Sequence, residues 1–173
     1  MILDLRELDD FPAAVSLKAE AGEFRPFAEE VTEVNEVTLE LAIQKSGEEY
    51  FCQGEVKARY LVECSRCLAP FELSVIQATD FVVCGLDQKA QMEEGVDDED
   101  YVFLKGGDLR ADLTEPVRQA LVLSASMKPL CSEACQGLCP SCGTNLNDES
   151  CDCKKETIDP RWEALKHLKG GDE

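Results

Sequence analysis

Cysteine spacing constrains this chain more than any other feature. Ten cysteines occupy positions 52, 64, 67, 84, 131, 135, 139, 142, 151 and 153 of 173 residues. Eight form close pairs: Cys64 with Cys67, Cys131 with Cys135, Cys139 with Cys142, and Cys151 with Cys153. Glycine, proline and asparagine punctuate residues 131–153. Such a stretch buries too little apolar surface to hold a shape unaided, and a bound metal can supply the missing stability. The opening MILDLRELDD lacks the basic start and apolar run of a secretory peptide. No stretch approaches the ~20 apolar residues that cross a bilayer. The expectation is a cytoplasmic chain, where closely spaced thiols bind metal more often than they form disulfides.

Cys64-Ser65-Arg66-Cys67 and Cys139-Pro140-Ser141-Cys142-Gly143 are both C-x2-C turns, which present two sulfurs to one ion. Gly143 tolerates the positive φ that such turns use. Zn²⁺ takes four thiolates at about 2.3 Å and is then satisfied without water, so such a site holds structure and activates nothing. Two pairs make one site, so eight paired cysteines make up to two. The short loop between them groups Cys139 and Cys142 with Cys151 and Cys153. Cys64 and Cys67 are left to meet Cys131 and Cys135, which would staple the tail to the turn between two strands. One or two structural zinc ions are therefore expected. The plainer alternative leaves Cys64 and Cys67 as free thiols in a turn, with one zinc drawn from the six C-terminal cysteines. Iron–sulfur binding is the chemical alternative. Cys52 and Cys84 stand alone in strand-like patterns and read as core residues. Arg66 either lies near the thiolates' negative charge or is simply exposed.

Hydrophobic periodicity fills in the rest. Ile2–Arg6 reads as a first strand, and residues 1–34 are otherwise mixed. From Val37 the period is two, through Leu39, Leu41 and Ile43. Lys45-Ser46-Gly47-Glu48 reads as a turn. Tyr50, Cys52, Gly54, Val56, Ala58, Tyr60 and Val62 continue the alternation, and Phe71, Leu73 and Val75 begin a strand running toward Val83. Glu93–Asp100 packs six acids into eight positions and reads as a solvated loop. Tyr101–Leu104 is a short strand ended by Gly106-Gly107. A helix is predicted from Leu113 to Ala125, with Asp112 or Thr114 as cap and Pro116 in its first turn. Its Leu113, Val117, Ala120, Leu121 and Ser124 share the face that would cover the sheet. A last helix is predicted from Pro160 to about Lys169, capped by Asp159 and anchored by Trp162. The expected class is α+β: an antiparallel β-meander or partly closed barrel covered by a helix, with a C-terminal zinc-stabilised module and a short terminal helix. Residues 1–127 would form the acidic β-rich domain and 128–173 the cysteine-rich module.

Charge narrows the partners. Seventeen basic residues face 36 acidic ones, a net of −19. Residues 128–173 hold 6 basic and 9 acidic side chains, so most of the excess belongs to residues 1–127. A polyanion repels phosphate backbones, which lysine and arginine must neutralise. A basic protein partner suits this field better, although high charge also serves solubility alone. An enzyme is poorly supported. His167 is the only histidine, Gly106-Gly107 lacks the context of a phosphate loop, and the acids at 93–100 lack the EF-hand spacing.

Two strings carry a resemblance. Cys64-Ser65-Arg66-Cys67-Leu68, together with Gly137-Leu138-Cys139-Pro140-Ser141-Cys142-Gly143-Thr144-Asn145-Leu146-Asn147, resembles the YceD family of large ribosomal RNA subunit accumulation proteins. Asp159-Pro160-Arg161-Trp162-Glu163-Ala164-Leu165 is similar to the family's end. The resemblance implies a cytosolic bacterial protein, or a plastid relative, that supports accumulation of large-subunit ribosomal RNA. The implied partner is a ribosomal protein or a large-subunit precursor particle; direct RNA contact is left open, and neither a membrane nor a small-molecule substrate is expected. Two rivals stand beside this. One is a nucleic-acid-binding zinc module using Lys154, Lys155, Arg161, Lys166 and Lys169. The other is a zinc-thiolate redox switch.

Overall fold

The computed structural model describes residues 1–19, 22–25, 31–86, 100–153 and 161. Its centre is a five-stranded sheet in the order β2-β3-β4-β5-β6, made of β2 (Ala13–Lys18), β3 (Val31–Ser46), β4 (Glu49–Glu63), β5 (Pro70–Gly85) and β6 (Tyr101–Leu104). β1 (Ile2–Asp4) and β7 (Arg110–Asp112) pair separately with each other. The α-helix α1 (Thr114–Ser124) packs on the sheet, chiefly over β5.

Alternation builds the sheet. Val37, Leu39, Leu41 and Ile43 of β3 are buried on one face. Tyr50, Cys52, Val56, Ala58, Tyr60 and Val62 of β4 continue that face, and the intervening residues turn outward. A two-residue turn at Gly47 and Glu48 joins β3 to β4, with Gly47 at φ +63°. Gly54 marks a close approach: a Cβ there would stand 1.8 Å from the backbone oxygen of Glu40. Helix α1 closes the core with Pro116, Val117, Ala120 and Leu121, and Ser124 sits half-buried at its end. The buried Tyr60 donates its hydroxyl to the Ser124 carbonyl at 3.3 Å. Cys52 and Cys84 are both buried.

The fold class is α+β, with three differences from the expected outline. The sheet is open and mixed, not a closed barrel: β2 to β5 follow one another antiparallel, but β6 joins β5 in parallel. Closure would need β2 to meet β6, and they stand on opposite edges. The expected Ile2–Arg6 strand ends at Asp4, whose carboxylate accepts from the Arg6 N–H at 3.0 Å and starts a 3₁₀ turn over Leu5–Glu7. β2 and β7 are additional strands, and β3 begins at Val31 with register shifts before Val37. At the helix start, Asp112 Oδ1 accepts from the Thr114 N–H at 3.0 Å and from its hydroxyl at 2.6 Å. Most of the acidic 93–100 run, the expected terminal helix, Trp162 and His167 lie outside the described residues. Among the described residues, no helix is long and apolar enough to cross a membrane.

Candidate metal centres

The turn between β4 and β5 is built to aim two thiols the same way. The Leu68 N–H donates to the Cys64 carbonyl at 2.9 Å, and the Cys64 N–H to the Ala69 carbonyl at 3.0 Å. Leu68 takes φ +58°, a left-handed backbone that glycine usually supplies. The segment after α1 then comes alongside. The Ser65 N–H donates to the Pro129 carbonyl at 2.9 Å, and the Leu138 N–H to the Arg66 carbonyl at 3.2 Å. Gly137, at φ +75°, passes so close that a Cβ would touch that same Arg66 oxygen at 3.0 Å. Arg66 itself points at the tail, donating through Nη1 to the Cys135 carbonyl at 3.0 Å.

These contacts bring Cys64, Cys67, Cys131 and Cys135 together, with all four sulfurs within 4.8 Å of one another. Cys64 and Cys135 stand 3.8 Å apart, and Cys67 and Cys131 3.7 Å. Cys64, Cys67 and Cys135 are buried among Ala69, Phe71, Leu130 and Leu138, and Cys131 is exposed. Asn147 supports this group in a way the spacing of cysteines did not reveal. Its Nδ2 donates to the Cys135 sulfur at 3.4 Å, and its Oδ1 accepts from the Gln136 N–H at 2.8 Å. Asn145 Oδ1 in turn holds Asn147 Nδ2 at 2.7 Å. The signal available was the Asn145-Leu146-Asn147 string, two residues whose amides readily bond nearby backbone.

The second group is Cys139, Cys142, Cys151 and Cys153, again with sulfurs within 4.8 Å of one another. Its turn closes through the Gly143 N–H to the Cys139 carbonyl at 2.9 Å, with Gly143 at φ +76°. The Cys139 N–H donates to the Thr144 carbonyl at 2.8 Å, and the Leu146 N–H to the Gly137 carbonyl at 2.9 Å. Gly137 and Leu138 thus serve both groups, touching Arg66 on one side and residues 145–146 on the other. Cys142 and Cys153 are exposed, Cys151 is half-buried and Cys139 is buried.

Electrostatics divides each group. Burial works to raise the Cys64 thiol, but the N–H groups of Cys131, Cys67 and Arg66 outweigh it and hold the thiol down to about 6. The hydroxyl and N–H of Thr144 bring Cys142 to about 6. Burial, with the neighbouring thiols behind it, pushes Cys131 up to about 12. Cys142 and Cys139 drive Cys153 to about 12. Four sulfurs this close cannot all ionise without a cation among them. Each group could therefore hold a metal ion, and an all-sulfur donor set favours a soft or borderline one.

The sequence profile described as Large ribosomal RNA subunit accumulation protein YceD matches residues 52–169, which contain all eight grouped cysteines. The chain belongs to the YceD family. Uncharacterized proteins of Mycobacterium tuberculosis and Mycobacterium bovis are 32% identical to it over 132 residues, 76% of this chain and 61% of theirs. The match thus spans about three-fifths of the length of these curated relatives. An Arabidopsis thaliana protein named Large ribosomal RNA subunit accumulation protein YCED homolog 1, chloroplastic, is 29% identical over 85 residues, 49% of this chain and 26% of its own. No solved structure matches this YceD chain. Neither Cys64 nor Arg66 lies outside the matched span, so the β4–β5 turn and the tail it meets fall within one YceD unit.

Proposed function

We propose that this chain is a non-enzymatic ribosome-assembly factor. It supports accumulation of large-subunit ribosomal RNA by engaging a basic ribosomal protein or the precursor particle, with Zn²⁺ in each cysteine group as a structural ion. In this reading it works in the bacterial cytosol, where the subunit is made. One observation carries the structural role: the first cysteine group is drawn from two regions 71 residues apart, so an ion there ties the sheet to the tail. Sulfurs around tetrahedral zinc, at about 2.3 Å from the ion, stand about 3.8 Å apart. The 3.8 Å and 3.7 Å separations fit that figure. An iron–sulfur cluster places iron and sulfide between its thiolates and spreads them further, so the spacing favours a single ion. Four protein ligands leave no open position for substrate or water.

The assembly role is supported by family membership, by the names of the plant relatives and by the net charge of −19. Two measurements test it. Metal analysis of the reduced protein should find two zinc ions per chain, falling to one in Cys64→Ser/Cys67→Ser. Affinity capture from a bacterial lysate should retain ribosomal proteins or large-subunit precursors at low salt and release them as salt rises. A wild-type chain with one zinc would return Cys64 and Cys67 to ordinary thiols, and capture of no ribosomal component at low salt would end the assembly reading.

A further inference from the structure

The two edges of the sheet are treated differently. β2 is six residues long and ends on Lys18, and the projecting start of β3 carries register shifts between Val31 and Val37. Short length, lysine and irregularity all discourage another strand from pairing. β5 has none of these over most of its length. It runs in unbroken register with β4 from Pro70 to Val83, and β6 occupies its other side only at Val82–Gly85. Among the described residues, no strand pairs with that other side over Phe71–Phe81. Every second residue of such a run turns its N–H and C=O outward, as in the edges that accept added strands. The Ala78 carbonyl accepts instead from the exposed side-chain amide of Gln77 at 3.3 Å.

The surroundings of this edge specify what fits. Helix α1 meets β5 from the core side, where Val117 and Leu121 share a cluster with Phe71, Leu73 and Val75. On the solvent face Ile76 is 66% exposed at the middle of the run. Glu72 and Asp80 flank it on β5, and Glu55 and Glu63 stand on β4 beside it. Of the cations on that face, the two nearest β5 are engaged, Lys57 by Glu40 at 2.6 Å and Arg59 by Glu36 and Glu72, and Lys18 stands across the sheet on β2. Among the described residues, an incoming strand therefore meets open backbone, one apolar contact and unbalanced negative charge. A second copy would bring another −19 and a nucleic acid its phosphates, so both are opposed.

We propose that the Phe71–Phe81 edge of β5 takes up an extended, lysine- or arginine-bearing segment of a partner protein as an added strand in line with β6. This deepens the reading of an acidic protein that holds a basic partner, and rests on it.

Hydrogen exchange of the full chain tests the proposal, with a dodecapeptide of alternating lysine and valine as probe. Exchange of the amides in 71–81 that face away from β4 should slow at least tenfold with peptide present. The same peptide with alternate backbone nitrogens methylated keeps its charge but loses its ladder, and should give no protection. Glu72→Lys/Asp80→Lys, two exposed positions whose folding circular dichroism checks, should weaken the probe at least fivefold. Equal protection by the methylated peptide, protection only in residues 128–153, or none at millimolar peptide would overturn the proposal. So would protection, in the free chain, of the amides of 71–81 that face away from β4, or their protection with rising protein concentration alone, since the edge would then be covered by this chain or its copy. Ribosomal capture that survives the double variant would reject the edge and leave the assembly reading intact. Strand addition by the probe without any ribosomal capture would do the reverse.

Discussion

Asn147 holds the sulfur of Cys135 with one end of its amide and the Gln136 backbone with the other. A group that hydrogen-bonds and orients a ligand in this way typically changes metal affinity by about 10–100-fold. Asn147→Ala should therefore weaken zinc binding by about tenfold in a competition titration with a chromophoric chelator, without lowering the ion count at saturation. Gly54 makes a different demand. Its missing Cβ avoids the Glu40 backbone oxygen, which a side chain would approach to 1.8 Å. Gly54→Ala should cost about 3 kcal/mol in urea unfolding, at the upper end of overpacking penalties. The cysteine positions were legible because thiols in close pairs have few other uses. Asn147 and Arg66 were less so, because their partners lie 12 and 69 residues away and no spacing rule names them.

Among the elements, the long strands were the clearest, since Val37–Ile43 and Tyr50–Val62 alternate over many residues and bury one face. β2 was hidden by length: six residues with half-buried Ala13, Val15 and Leu17 give a weak signal. The parallel placement of β6 depends on the route of the chain after Gly85, and periodicity carries no information about direction. The cysteine turns allow a prediction about pH in the metal-free protein. Cys64 and Cys142 sit at about 6, below the ordinary thiol value near 9. Their stabilisation is full above 9, declines through the window from 9 to 6 and is gone below 6. Cys52, pushed up to about 12 by burial, acts the other way, as do Cys131 and Cys153. The unfolded chain ionises first, so stability falls as pH rises from 9 toward 12. The melting temperature of the apo protein should peak near pH 9 and fall on both sides. A Cys64→Ser/Cys142→Ser variant should flatten the acid side, as thermal melts followed by circular dichroism would report.

At the scale of the molecule, the first cysteine group brings the segment after α1 to the turn between β4 and β5. Without it the tail keeps backbone contacts to the β4–β5 turn, such as Ser65 to Pro129 and Leu138 to Arg66, the Arg66 side-chain bond to the Cys135 carbonyl and a few apolar neighbours. Cys64→Ser/Cys67→Ser should then expose the connection around Lys128 to trypsin. The expected products are a stable fragment ending there and a digested tail, separated by mass spectrometry; equal resistance to wild type would show that the remaining contacts suffice. The acidic field, and its concentration in residues 1–127, were legible from counting alone, but its distribution over the sheet was not. Only the paired strands show that Lys57 and Arg59 are consumed by Glu40, Glu36 and Glu72, leaving the β5 side of the sheet negative.

The span of the first cysteine group also sets a timetable during synthesis. Cys139 to Cys153 lie close together in the chain and can gather an ion as soon as that stretch clears the ribosomal tunnel. Cys64 and Cys67 emerge much earlier and must wait for Cys131 and Cys135, the latter 71 residues downstream of Cys64. A nascent chain therefore carries an unfinished hairpin tip until residue 135 has left the tunnel. A product released before residue 131 would keep its sheet but present two bare thiols, a chemical mark that distinguishes interrupted chains from those that have run past the second half of the staple.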